Sequence, residues 1–237
     1  MKCCDCKKGK NDIAGEWMPK PQGICNCPPG LEYLASIDQI SIHDIVETGW
    51  ISSAYKRYRI INNKDEVVYL AEEERPETLI VSQRHMNMKL IENSGKEVIH
   101  LHRSVRSDDG CCCFQLNKMD VSAPVGQIVG YVVEDGSWEG IGFTIENAAG
   151  GAVLRIIRPG VCFRCCGSGD VNFDVMALDG NTQVGIIQWQ NWTGGFIRCD
   201  DADDFGITFP MDLDVRMKAV MIGASLLIDF MYFESGR

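Results

Sequence analysis

DDADDFGITFPMDLD (Asp200 to Asp214) leads, through VRMK, into AVMIGASLLIDFMYF (Ala219 to Phe233), so an acidic stretch abuts an apolar one. How this junction is read decides the fold. Ala219 to Phe233 is fifteen residues, about 22 Å as a helix, against a hydrocarbon core of about 30 Å. It is apolar on all sides, and such a helix belongs either in a membrane or at the centre of a large fold. Asp229 interrupts its far end, at a cost of about 3 kcal/mol if it faced lipid. Arg216 and Lys218 precede it and suit a cytosolic flank under the positive-inside rule. Length favours burial, with a helix over about 215–233 and Ala219, Gly223, Leu226 and Leu227 among its core positions. A single C-terminal span is the alternative.

The acidic stretch has a spacing of its own. From Asp201 to Asp212 there are twelve residues, with Asp at positions 1, 3 and 12 and Gly206 at position 6, where an EF-hand loop needs its sharp turn. Asp201, Asp203 and Asp212 are the candidate calcium ligands, and Ile207 at position 7 would add its carbonyl. Phe205 and Phe209 stand where two more side-chain ligands belong, so the expected affinity is weak. The competing reading is an acidic turn followed by a strand, with Phe205, Ile207 and Phe209 alternating into a core.

Upstream, four segments repeat one pattern: YRIINNKDEVVYL (Tyr58 to Leu70), MKLIENSGKEVIHL (Met88 to Leu101), FTIENAAGGAVLRI (Phe143 to Ile156) and FDVMALDGNTQVGII (Phe173 to Ile187). Each alternates apolar residues, turns on Asn, Gly or Asp, and alternates again, as β-hairpins do. Ile60 and Ile145, and likewise Leu90 and Val175, stand 85 residues apart. The offset predicts two related β halves. Closure into a barrel hides the sheet edges. A barrel much wider than about eight strands leaves a hole in its centre, which the apolar C-terminal segment would fill.

With 237 residues and a net charge of −10, the chain can bury a large core as one β domain but lacks the basic footprint of a general nucleic-acid binder. The same charge opposes electrostatic docking on an anionic leaflet. Its twelve cysteines fall in clumps rather than in a disulfide framework, and MKCCDCKKGKND has no apolar signal region. Reduced thiols in the cytosol are expected. No myristoylation or prenylation signal is visible. Residues 1–27 read as a mobile Cys-, Lys- and Pro-containing tail, and 28–237 as the folded domain. Cys111, Cys112 and Cys113 in DDGCCCFQLNK offer thiols for S-acylation in a loop between strands, with MKCCDCKK a second candidate. Cys162, Cys165 and Cys166 carry one CxxC spacing, an incomplete zinc pattern. His100 and His102 share a strand face, read as polar surface or part of a metal site. Trp189 and Trp192 are placed at a lipid interface or over the barrel's end. No GxSxG, P-loop, HExxH or dinucleotide fingerprint occurs, so no covalent chemistry on a substrate is expected.

NCPPGLEYLASIDQISIH (Asn26 to His43), the Cys111 to Cys113 run and DADDFGITFPMDLDVRMKAVMIGA together resemble the phospholipid scramblase family, over roughly Pro28 to Ser235. The resemblance implies a tubby-like fold, a closed twelve-stranded antiparallel barrel around a buried C-terminal helix. It also implies calcium-activated, ATP-independent, bidirectional exchange of phospholipids between leaflets. Calcium would bind at Asp201, Asp203, Ile207 and Asp212, and palmitate would be attached covalently at the cysteine-rich run. The implied location is the cytoplasmic face of a membrane, the plasma membrane first. The long proline-rich N-terminal region frequent in the family is almost absent, so its partner motifs are not carried over. A membrane-tethered lipid-binding or adaptor module without transport activity is the alternative function.

Overall fold

In a computed structural model of the chain, described over residues 15–24, 26–45, 56–74, 86–107, 115–135, 142–157, 171–190 and 204–233, twelve strands close around one helix. The strands are β1 (Gln39–Asp44), β2 (Arg57–Asn62), β3 (Val67–Glu73), β4 (Asn87–Ile91), β5 (Glu97–Ser107), β6 (Gln115–Ser122), β7 (Ile128–Asp135), β8 (Gly142–Asn147), β9 (Ala152–Ile157), β10 (Val171–Ala177), β11 (Gln183–Gln190) and β12 (Asp204–Thr208). Each pairs antiparallel with its neighbour in sequence, and β1 pairs with β12 to complete the ring. This is the tubby-like architecture.

The two halves are related in structure as well as in sequence. Residue shifts interrupt the β2–β3 pairing at Ile60/Ile61 and the β8–β9 pairing at Ile145/Glu146. They recur at Leu90/Ile91 and Val175/Met176, the same 85-residue offset. The hairpin turns follow suit. Asp65 donates to Asn62 O at 3.2 Å with φ 62°, and its counterpart Gly150 donates to Asn147 O at 2.9 Å with φ 79°. Glycine adopts that left-handed conformation without strain, whereas Asp65 tolerates it as only short polar side chains do.

Val215–Ile228 form α1, and a π-helical turn continues to Phe233. Asp214 caps α1, its side chain accepting from Arg216 N at 2.8 Å. Every residue from Met217 to Ile228 is buried. A helix surrounded on all sides needs no polar face, which explains the sequence's lack of one. Ala219, Gly223, Leu226 and Leu227 all lie in this enclosed stretch. Among the strands, the helix packs most against β7, β6 and β8. A Cβ on Gly223 would stand 3.1 Å from Val121 and 3.3 Å from Leu101, so glycine sets the approach. Among the described residues no helix is long and apolar enough to cross a membrane.

Two sequence expectations change. Lys218 is not a solvated flank: it is fully buried, because the enclosed stretch of the helix begins at Met217, two residues before the apolar run. Nor is the whole of residues 1–27 a free tail. Met18 N donates to Val67 O at 2.9 Å and Val67 N to Glu16 O at 2.8 Å, which lays this segment alongside the start of β3. Lys20 reaches Glu92 at 3.5 Å, and the 3-10 helix Glu32–Ser36 then buries Tyr33 and Leu34 against α1.

Candidate functional site

In an up-and-down barrel successive connections alternate between ends. The tight turns after β2, β4, β6, β8 and β10 therefore share one end, here the hairpin end, with the β12–α1 turn. The strand ends flanking the other connections share the far end. Ser107 and Gln115, which flank the stretch holding Cys111, Cys112 and Cys113, are among them. So are Ile157 and Val171, on either side of Cys162, Cys165 and Cys166, and Gln190 and Asp204, on either side of Trp192 and of Asp201 and Asp203. All these cysteines, Trp192, Asp201 and Asp203 lie outside the described residues.

α1 delivers its C-terminus to the same far end. Asp229, 1% exposed, accepts from the Tyr58 hydroxyl, and Lys56 Nζ stands 4.0 Å from it and 3.0 Å from Asp44. A carboxylate at this depth needs such partners. Beyond it, half-buried aromatics cover the opening. Phe233 stacks on Trp189 at 4.3 Å, Tyr232 packs against Phe143 and Phe173, and the Arg103 guanidinium sits 4.8 Å over Phe230. Trp189 thus caps the barrel. Arg103 is itself held by Asn117 at 2.7 Å, which donates to Glu134 at 2.6 Å.

The twelve-residue acidic stretch is divided by a strand. Residues 204–208 form β12, paired with β1 on one side and β11 on the other. Phe205 and Ile207 point into the core and Gly206 lies mid-strand rather than at a turn. The Ile207 carbonyl lies within this doubly paired ladder. Asp212 follows at the hairpin end, while the strand start next to Asp203 is at the far end. The structure therefore does not bring Asp212 to the end of the barrel at which Asp204 begins β12.

At the hairpin end the charge that matters was not singled out from the sequence. Lys218 Nζ donates to Leu34 O at 3.0 Å, Ile37 O at 2.7 Å and Met211 O at 2.8 Å, and stands 5.0 Å over the Phe209 ring. Burial pushes its pKa below the ordinary lysine value, with Asp38 and Asp212 opposing that shift. His100 is engaged by Glu97 at 2.8 Å and His102 by Asn87 at 2.6 Å. Among the described residues no group of three or more His, Cys, Asp or Glu side chains is placed to hold a metal ion.

Comparison with known proteins gives this barrel a family. The sequence model described as Scramblase matches residues 18–235. The chain belongs to the scramblase family. It is 43% identical to phospholipid scramblase 1 of Homo sapiens over 228 residues, 92% of this chain and 70% of the relative. It is 41% identical to phospholipid scramblase 2 of Bos taurus over 232 residues, 93% of this chain and 77% of the relative. Phospholipid scramblase family member 5 of Homo sapiens is 39% identical over 217 residues, 87% of this chain and 78% of that protein. The scramblase match thus includes both halves of the barrel and α1.

Proposed function

We propose that the protein exchanges phospholipids between the leaflets of a membrane, in both directions, without ATP and without covalent chemistry on the lipid. Membership of a family whose relatives are named phospholipid scramblases carries this reading. Acylation of Cys111, Cys112 and Cys113 tethers the protein, since a net charge of −10 opposes attachment to an anionic cytoplasmic leaflet. Two acyl chains anchor firmly where one is reversible. The convergence of the half-buried aromatic cap with the strand ends on either side of this run supports docking through the far end. Calcium is the trigger. In this reading Asp201 and Asp203, just ahead of β12, supply its direct carboxylates, and the ion is held weakly. Asp212, which supports the Lys218 charge at the hairpin end, and the Ile207 carbonyl, which lies in the β12 ladder, were added to the ligand set by the sequence pattern and fall outside this pair.

One observation favours a second reading, a tethered lipid-binding or adaptor module: α1 fills the barrel, so no conduit for lipid runs through it. Reconstitution into liposomes with a fluorescent phospholipid separates the two. Exchange that needs both protein and calcium supports scrambling. Binding to the liposomes without exchange supports the module. Hydroxylamine, or Cys111, Cys112 and Cys113 all changed to Ala, is expected to move cellular protein from membrane to cytosol; retention of the triple variant contradicts that anchor.

A further inference from the structure

Strand glycines need a reason, because they weaken a strand and offer nothing to pack. Among the described residues, Gly130, Gly142 and Gly185 have one: a Cβ on each would strike a neighbouring backbone carbonyl. Gly206 has none. It has no left-handed φ, and a Cβ there would meet nothing within 4 Å. What it leaves is open space on the outer wall.

The register shows what surrounds that space. Ser41 of β1, Gly206 of β12, Gln188 of β11 and Asn172 of β10 form one row across four strands. His43 stands next along β1 toward the far end, and Thr208 next along β12 toward the hairpin end. Together they bound a notch of about 170 Å³. The side chains of Ser41, His43, Asn172, Gln188 and Thr208 each carry a hydrogen-bond donor, Ile186 and Phe205 add apolar lining, and none of the lining residues is a lysine or arginine. The Thr208 hydroxyl oxygen already accepts from Ile186 N at 3.2 Å, so its own hydrogen is left to donate.

Resting on the scrambling reading above, we propose that this notch is a foothold for the phosphodiester of a zwitterionic phospholipid headgroup on the barrel's outer wall. A phosphodiester presents acceptors and suits a ring of donors. Neutral donors hold it weakly, as a transport site requires if the lipid is to leave again. Asp174 lies one strand beyond Ile186 in the adjoining row, exposed at the rim, and suits the headgroup's ammonium better than a bare anion. With the interior filled by α1, an external foothold is the polar surface a headgroup would use.

The test is to titrate the full chain with short-chain dihexanoylphosphatidylcholine and, separately, inorganic phosphate, following the His43 ring and the Gly206 amide by NMR. Gly206→Leu fills the notch from its floor, and Asn172→Leu narrows it from β10. Saturable shifts with the lipid are expected, at least tenfold weaker with phosphate, and lost at His43 in either variant while the melting temperature stays within a few degrees. Vesicle exchange should fall tenfold or more in both variants. No saturable shift with lipid overturns the proposal, as does equal binding of phosphate, which marks an anion site. Wild-type exchange that both folded variants retain also overturns it, leaving scrambling itself intact. Wild-type vesicles that do not exchange at all refute the scrambling reading instead.

Discussion

The ammonium of Lys218 donates to the carbonyl of Ile37 at 2.7 Å across 181 residues of chain, fastening the last helix to the segment that leads into the first strand. Leu34 and Met211 take the same group's other hydrogens. One buried charge thus ties three segments at the hairpin end.

Lys218→Met should remove that tie while keeping apolar volume. The buried Ile37 carbonyl then loses this donor, at about 1–3 kcal/mol if left unsatisfied, whereas Leu34 O still accepts from Ile37 N at 3.5 Å and Met211 is exposed. A fall of about 1–3 kcal/mol in unfolding free energy is expected from denaturant titration, with no rescue by Lys218→Arg, whose planar fork cannot address three carbonyls from one point. A variant as stable as the wild type would mean the tie is idle.

Tyr33 donates to Glu92 at 3.3 Å, and burial, with the Glu92 charge second, pushes its phenol up to about 12 from 10.0. The unfolded chain loses this proton first, so the contribution is complete below pH 10 and falls as pH climbs from 10 through 12. Glu92 behaves in the opposite sense. Burial alone would raise its pKa, but Ser94, Lys20 and Tyr33 outweigh that and hold it below 4.5. Its contribution is present above that value and lost as pH falls through the depressed one. Thermal melts of Tyr33→Phe and Glu92→Gln against pH should be flatter than wild type in the alkaline and acid limbs respectively.

Gly223→Leu should overpack the contact of α1 with Val121 and Leu101, costing about 1–3 kcal/mol. Truncation after Asp214 should do far more, since a single large-to-small core change already costs about 2–5 kcal/mol of the about 5–15 a domain has to lose. Circular dichroism and size-exclusion chromatography should find that truncated chain molten or aggregated.

The two ends of the acidic stretch should respond differently to calcium. Asp201→Ala should abolish a calcium-induced thermal shift and leave the apo fold intact. Asp212→Ala should keep the shift but lower the pH at which Lys218 loses its proton, because Asp212 supports that charge. Loss of the calcium response in both variants would restore Asp212 as a ligand.

Much of this fold was legible because its signals are local or extreme. Hairpin turns need their Asn, Gly and Asp within a few residues, so all four repeats could be read directly. The helix could be assigned because no charged residue marks any face of it over Ala219 to Ile228, and its one polar side chain there, Ser225, bonds back to Ile222 O within the helix. Lys218 was not legible: a lysine just before an apolar run looks like a flank, and only the helix's depth in the barrel puts its ammonium among three carbonyls. Phe205, Ile207 and Phe209 did announce β12, but the regular Asp and Gly spacing over the same residues offered a loop instead. The notch at Gly206 depends on the mutual register of β1, β12, β11 and β10, which no stretch of sequence contains.

The central claim is that α1 remains the core of the closed barrel when the protein is on a membrane. Phospholipids carrying a photoreactive group deep in the acyl chain test it directly, in calcium-loaded proteoliposomes with labelled peptides identified by mass spectrometry. Labelling at the half-buried aromatics Phe230 to Phe233, with none in Ala219 to Ile228, is the predicted result. Labelling within Ala219 to Ile228 would show that the helix leaves the barrel for the bilayer and would contradict the account.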